Sequence, residues 1–321
     1  MLIQKKSWQY GLIVGMVVAA LGTTKFLVDR HQQSTAVGQL AALLCQHALT
    51  YDIDARSVDP TVVVTDTLSV TGFEAVTARI TAAVRAAKPL HFTLVGFPYK
   101  SQNTAKKVIT TNFDAADAHG LSYLNTMLSK MSAAYKPGAA LTLFMDGTVF
   151  CDLEGVSDAT VTAYEAALKQ YAKKLVHLHI VTLADLLPRK TPAAMRTIIG
   201  GLPPSLATFE QRLAVEPDLQ NEVAIMEQRM LFEFDYPGGE QRAAQVHTIA
   251  KNLVHRSMQY SAFLKAFRHA ESIRLSVHYQ PDVAVKMGIK LAEESCVTPW
   301  HGVLVHNTMG NPCIKHRMDL K

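Results

Sequence analysis

The stretch "ALTLFMDGTVFCDLEGVSD", residues 140–158, decides how the middle of the chain is read. One apolar run leads into Asp146-Gly147, and a second, from Val149 to Cys151, leads out to Asp152. An Asp-Gly pair between two apolar runs suits a two-residue hairpin turn, because both central residues need positive φ. The stretch therefore predicts two short strands joined at Asp146-Gly147. Downstream, Ser157 is placed to cap a helix over "DATVTAYEAALKQYAKKL", and "VHLHIVTL" follows as a strand.

The same alternation of elements extends outward. Leu40, Leu43, Leu44 and Ala48 recur at helical spacing, and residues 73–87 form a second amphipathic helix. "LHFTLVGF" (90–97) reads as a buried strand that runs into Pro98 and a polar loop. Residues 114–134 read as a helix closed by Lys136-Pro137-Gly138. From 203 to 271 the pattern is mostly helical, broken at Pro217 and at Pro237-Gly238-Gly239. Strands return in "SIRLSVHY", "KMGIKLA" and "WHGVLVH". No repeat or low-complexity linker separates these parts. The fold class expected is α/β, a mixed-sheet Rossmann-like core with helices on both faces and a helical insertion around 203–271.

Composition narrows the function. A chain of 321 residues, 49% apolar and 18% charged, buries a sizeable core. Its net charge of +5 comes without a run of five basic residues, so a nucleic-acid surface is not indicated. A slight basic excess suits a pocket for a small phosphorylated or carboxylated ligand. Cys45, Cys151, Cys296 and Cys313 lie far apart with no Cys-x-x-Cys pair, against a zinc site of the usual spacing. His177 and His179 alternate on a strand and read as ordinary strand histidines, so no metal site is expected. At the N-terminus, the apolar run Tyr10–Leu21 is shorter than the roughly 20 residues of a membrane span. "GTTKFLVDR" is also a poor cleavage region. Residues 1–30 read as an anchor-like helix, giving membrane association through residues 10–28, outside one catalytic domain at 31–321.

Familiar catalytic motifs are missing. Phosphatases of the haloacid-dehalogenase type carry Asp-x-Asp-Gly-Thr, whose first Asp is the nucleophile; here that position is Phe144, which cannot attack phosphorus. There is no Gly-x-Ser-x-Gly elbow, no P-loop and no Gly-x-Gly-x-x-Gly after a strand, so no nucleotide cofactor is expected. Polar residues at strand ends and turns stand out instead. Lys100, Ser101 and Asn103 follow a buried strand, and Asp152 closes the hairpin. Arg274 and His278 flank Ser276 on one face of an alternating strand, Lys286 follows, and His301 opens the last strand. Together these are placed to converge on one anionic ligand.

At these residues the chain resembles the pyoverdine/dityrosine biosynthesis family, whose bacterial members are isonitrile (isocyanide) synthases acting on tyrosine or tryptophan. The matching pieces are "GFPYKSQNTAKKV" (96–108), "YKPGAALTLFMDGTVFCDLEGVSDATVTAYEAAL" (135–168), "HRSMQYSAFL" (255–264), "IRLSVHYQPDVAVKMGIKL" (273–291) and "TPWHGV" (298–303). Tyr99 stands where the family usually has Phe, and Ser257 where it usually has Gly. The resemblance implies that the amine of an aromatic amino acid condenses with the ketone of ribulose 5-phosphate, one sugar carbon becoming the isonitrile carbon. It implies no metal or redox cofactor in that step, and a partner iron/2-oxoglutarate oxygenase acting on the product.

Against that chemistry, Arg274, Lys286 and Lys100 are the candidate phosphate-binding cations. Ser101 and Asn103 join them as substrate-binding candidates. Asp152, His278 and His301 are the candidate acids and bases. Asp146 or Glu154 is the candidate to hold the substrate ammonium, the alternative being that they simply build the hairpin. The alternatives are a tyrosine N-formylating enzyme of the dityrosine type and a non-catalytic, membrane-associated ligand-binding relative. Use of a sugar phosphate implies a cytoplasmic active site. The choice between tyrosine and tryptophan is not legible in the sequence.

Overall fold

The computed structural model describes residues 34–49, 70–278, 286–295 and 297–320. The apolar run Tyr10–Leu21 lies outside them. No described helix is long and apolar enough to cross a membrane.

Among the described residues the first elements are helix α1 (34–46), helix α2 (Val70–Arg85), strand β1 (Leu90–Val95) and helix α3 (Ala115–Ala134). Strand β2 (Ala139–Phe144) is followed by helices α4 (Gly147–Glu154) and α5 (Asp158–Ala172), then strand β3 (Leu178–Val181). A helical segment comes next: α6 (Leu183–Leu186), α7 (Pro192–Gly200), α8 (Leu206–Val215), α9 (Pro217–Glu233), α10 (Glu240–Ala243) and α11 (Val246–Leu264). Strands β4 (Ile273–Ser276), β5 (Lys286–Gly288), β6 (Glu294–Ser295), β7 (Val303–His306) and β8 (Pro312–Lys315) complete the fold.

Five strands form one sheet in the order β3-β2-β1-β4-β5, and every pairing in it is parallel. The mixed pairing is in a second, three-stranded sheet, where β8 runs parallel to β6 and antiparallel to β7. Near-continuous apolar runs such as Leu90–Val95 fit strands covered on both faces. On one face Phe92, Leu94, Leu141 and Leu143 pack with Leu40, Ile80, Leu124 and Leu168 from α1, α2, α3 and α5. On the other, Phe144 and Val181 pack with Met195 and Ile199 of α7 and with Tyr260 and Phe263 of α11. The α/β class with helices on both faces is thus what the chain adopts, and the helical segment falls where the sequence placed it.

Two local expectations change. The stretch 140–158 is not a hairpin but a strand, a tight turn and a helix. β2 lies between β1 and β3 with both neighbours parallel, so its end cannot fold straight back along itself. Asp146 has φ −110°, not the positive φ of a hairpin turn, and begins α4 as its N-cap residue. Asp152 therefore lies on a helix rather than at a strand end. The other change is length: β4 stops at Ser276, so His278 lies two residues beyond the strand that carries Arg274. Trp300 and His301 likewise sit in a 3₁₀ turn, Pro299–His301, ahead of β7.

The start of α3 carries a cap that the sequence did not suggest, and the start of α5 carries the expected Ser157 cap. Asp114 accepts the Ala116 and Asp117 N–H groups while the Asp117 carboxylate accepts the Asp114 N–H, a reciprocal capping box at the start of α3. Ser157 accepts the Thr160 N–H at the start of α5. The chain runs outward from β1 through β2 to β3, then returns to lay β4 on the other side of β1. The carboxyl ends of β1 and β4 thus flank a topological switch point, where ligand crevices form in open α/β sheets.

Candidate active site

The loop after β1 is built as a rigid polar frame. Phe97 takes a φ of 57° and packs its ring 4.9 Å from that of Trp300. Gly147 presses on this loop so closely that an added Cβ would lie 2.0 Å from the Pro98 carbonyl oxygen. Lys100 is fully buried, and its Nζ donates to Asp114 at 2.6 Å, Asp117 at 3.1 Å and the Pro299 carbonyl at 2.9 Å. Asn103 donates to the carbonyls of Phe232 and Asp235 and accepts the Lys106 N–H. Ser101 donates its hydroxyl to Glu233. These three candidates thus tie the β1 loop to α3, to the Pro299 turn and to the end of α9, and the Lys100 ammonium has no donor left for a phosphate.

Glu233, the last residue of α9, is a charged group that the sequence did not reveal. Its buried carboxylate accepts from Ser101 and from Lys107, whose Nζ lies 2.6 Å away, and faces His301 Nε2 at 3.8 Å. Burial alone would raise its pKa, but the Lys107 charge, His301 and the two hydrogen bonds bring it down to about 2. His301 is held from its other side by the Thr298 hydroxyl, 3.2 Å from Nδ1.

A second set of acids lies further along the same end of the sheet. Asp146 sits at the β2–α4 turn, with Oδ1 buried and without a hydrogen-bond partner. Burial, opposed by His278 and helped by Glu165, lifts its carboxyl to about 7. Glu154, two turns along α4, is also raised to about 7, first by burial and then by Glu233 and Asp146, with the Tyr99 hydroxyl and Lys107 opposing. The structure therefore brings together Asp146, His278, Glu154 and Tyr99. It does not bring Asp152 to them. That carboxylate is exposed and ion-paired with Arg256 at 2.5 Å, with Arg196 at 3.7 Å.

The cations form a third group. Arg274 and Lys286 are register partners on adjacent parallel strands, so their side chains leave the same face side by side. Arg268, between α11 and β4, joins them: burial first, then the Arg274 charge, lowers its pKa to about 10. Burial and the charges of Arg274 and Arg268 likewise lower Lys286, against Glu222 of α9. Among the described residues no carboxylate forms a close ion pair with any of the three. No group of three His, Cys, Asp or Glu among the described residues is placed to hold a metal ion.

Residues 80–321 match the family model described as "Pyoverdine/dityrosine biosynthesis protein". The chain belongs to the pyoverdine/dityrosine biosynthesis family. It is 35% identical over 245 residues to an L-tyrosine isonitrile synthase of Pseudomonas aeruginosa, covering 71% of this chain and 73% of that one. It is 30% identical over 228 residues, 68% of each chain, to the L-tryptophan isonitrile synthase AmbI2 of Fischerella ambigua. The crystal structure of the PvcA protein of Pseudomonas aeruginosa superposes with a TM-score of 0.75 at 25% identity, over 89% of this chain and 93% of that chain. With these relatives, this member of the pyoverdine/dityrosine family is an enzyme of the isonitrile (isocyanide) synthase type.

Family membership also explains which site residues escaped the sequence. Lys107 lay inside a family motif, where a buried lysine looks like any loop lysine. Glu233 and Arg268 lie in the helical segment and just after it, where a single charge among many carries no spacing signal. Their one legible feature is a charge at a helix end, which usually marks a cap rather than a site.

Proposed function

We propose that this isonitrile synthase converts the amine of an aromatic L-amino acid, tyrosine or tryptophan, to an isonitrile with ribulose 5-phosphate as carbon donor. The observation that carries this reading is the Arg274–Lys286 pair: two half-buried cations side by side on the β4–β5 edge of the sheet, without a close carboxylate among the described residues, while Asp146 and His278 lie beyond the carboxyl ends of β2 and β4. A sugar phosphate needs fixed cations at one end and proton-transfer groups at the other. The names of the relatives, which act on L-tyrosine or L-tryptophan, support the choice of amino acid.

In this scheme Arg274 and Lys286 hold the phosphate. The substrate amine adds to the sugar ketone and water leaves, which needs a proton delivered to oxygen and protons taken from nitrogen. Asp146, with a carboxyl poised at about 7, and His278 are suited to exchange those protons at neutral pH. His301, braced between Thr298 and Glu233, serves the later proton transfers. Glu154 faces the substrate ammonium before condensation. Asp152, tied to Arg256 on the surface of α4, is better suited to fixing α4 against α11 than to the chemistry. An iron/2-oxoglutarate oxygenase is the expected consumer of the product, and a cytoplasmic active site suits a sugar-phosphate substrate.

Incubating the full chain with tyrosine or tryptophan and ribulose 5-phosphate, then trapping with a tetrazine, should yield an isonitrile adduct. An N-formyl amino acid instead would point to the dityrosine-type reaction, and no turnover would reject both. Arg274→Ala should raise KM for ribulose 5-phosphate at least about 10-fold while leaving that for the amino acid within about twofold. Equal effects on both substrates would remove Arg274 from the phosphate site.

A further inference from the structure

Arg268 was not singled out by any motif, and its surroundings make it more than a surface charge. It follows α11, whose Tyr260, Phe263 and Leu264 cover the face of the sheet that carries Arg274 and Lys286. Its Nε is buried and no protein group accepts from it. Arg274 lies level with Thr93 on one side and Lys286 on the other, so the sheet presents a short polar row beneath the end of α11. Resting on the sugar-phosphate reading above, we propose that Arg268 completes the anion subsite with Arg274 and Lys286 and sets its preference for a phosphate dianion over a carboxylate.

Charge matching supports the assignment. Three like charges held in mutual reach, with a guanidinium N–H left unsatisfied, weaken the empty fold, and a bound anion removes both costs. Other charged groups face this cluster from each side. Glu222 of α9 faces Lys286, with Arg229 of the same helix beyond it. Arg79 of α2 approaches Arg274 but is engaged with the Ser272 carbonyl at 2.7 Å. Tyr260 of α11 approaches Arg268 through a neutral hydroxyl. The three cations and Glu222 alone leave about +2, and Arg79 and Arg229 add to it; the total suffices for a phosphate monoester at neutral pH and exceeds what one carboxylate neutralises. A planar guanidinium adds two parallel donors that the Lys286 ammonium cannot offer.

The test is calorimetric titration of the full chain with inorganic phosphate, ribulose 5-phosphate and unphosphorylated ribulose, at about pH 7.5 and about pH 5, either side of the phosphate pKa near 6. Wild type should bind both phosphates, at least about 10-fold more tightly at the higher pH, and the free sugar much more weakly. Arg268→Gln should weaken ribulose 5-phosphate about 10- to 100-fold, leave tyrosine or tryptophan affinity unchanged and flatten the pH dependence. Arg268→Lys should regain part of the loss. Arg268→Met, which keeps the apolar stem, serves in place of glutamine if that variant unfolds. Wild-type affinity for ribulose 5-phosphate in the folded glutamine or methionine variant would overturn the assignment. If wild type binds inorganic phosphate but not ribulose 5-phosphate, and Arg268→Gln loses it, the subsite stands and the carbon-donor reading falls. If wild type binds neither, both fall.

Discussion

Lys100 and Asp146 are both polar residues at strand ends, and the structure gives them opposite fates. Lys100 is sealed from solvent with all three N–H bonds used by Asp114, Asp117 and a carbonyl. Lys100→Met would leave two carboxylates facing each other at the start of α3 without their cation, so stability should fall by about 3–5 kcal/mol, read from the urea midpoint. A loss under about 1 kcal/mol would show that the pair is not a structural tether. Asp146 keeps one carboxyl oxygen buried without a hydrogen-bond partner, and burial raises the group to about 7. A carboxyl whose folded pKa lies above its unfolded one binds its proton more tightly when folded. Its contribution is therefore favourable at low pH and is lost as pH climbs from about 4 to about 7. Asp146→Asn should accordingly gain on wild type in denaturant midpoint between pH 5 and pH 8 while losing about 10²–10⁴-fold in kcat. A midpoint difference that is flat with pH would contradict the raised carboxyl. Glu233 runs the other way: its carboxyl, held down to about 2, contributes stability that is fully present above its ordinary range near pH 4 and is lost progressively as pH falls from there through about 2. Residue type and strand-end position were legible for Lys100 and Asp146, but the partners that decide accessibility come from elsewhere in the chain.

At the scale of elements, the Asp146-Gly147 turn shows where local pattern runs out. Two apolar runs around Asp-Gly fit a hairpin by every short-range rule, and the helix α4 they form instead is only eight residues long. The decision is made by β1 and β3, which flank β2 in parallel and leave no edge for an antiparallel return. The glycine is there for a different reason from the one its neighbours suggest: it lets α4 start against the Pro98 carbonyl, where a Cβ would come within 2.0 Å. Gly147→Ala should therefore cost about 1–3 kcal/mol through displacement of the 97–103 loop, with kcat falling more than the fold loses stability. An unchanged midpoint and unchanged kcat would show that the contact yields freely. Elements with long periodicity, such as α3, or with a plain cap, such as α5 with Ser157, were legible because their signals are contained within the element.

For the whole molecule, the sheet supplies a switch point between β1 and β4, and the helical segment brings charge to it. Glu233 at the end of α9 braces His301 and Lys107, and Arg268 after α11 is within electrostatic reach of Arg274 and Lys286. The α/β class and the place of the helical segment could be read from the order of elements. The convergence of residues more than a hundred positions apart could not, because nothing local records it. In the proposed reading the site is cationic at one end, holds acids and histidines towards the other, and serves an isonitrile synthase whose expected donor is a sugar phosphate. Turnover of unlabelled tyrosine or tryptophan with uniformly ¹³C-labelled ribulose 5-phosphate, followed by ¹³C NMR of the product, tests that account most directly. One ¹³C at the isonitrile carbon, and none elsewhere in the product, is the expected result; an isonitrile formed without label, or a labelled N-formyl group in its place, would contradict it.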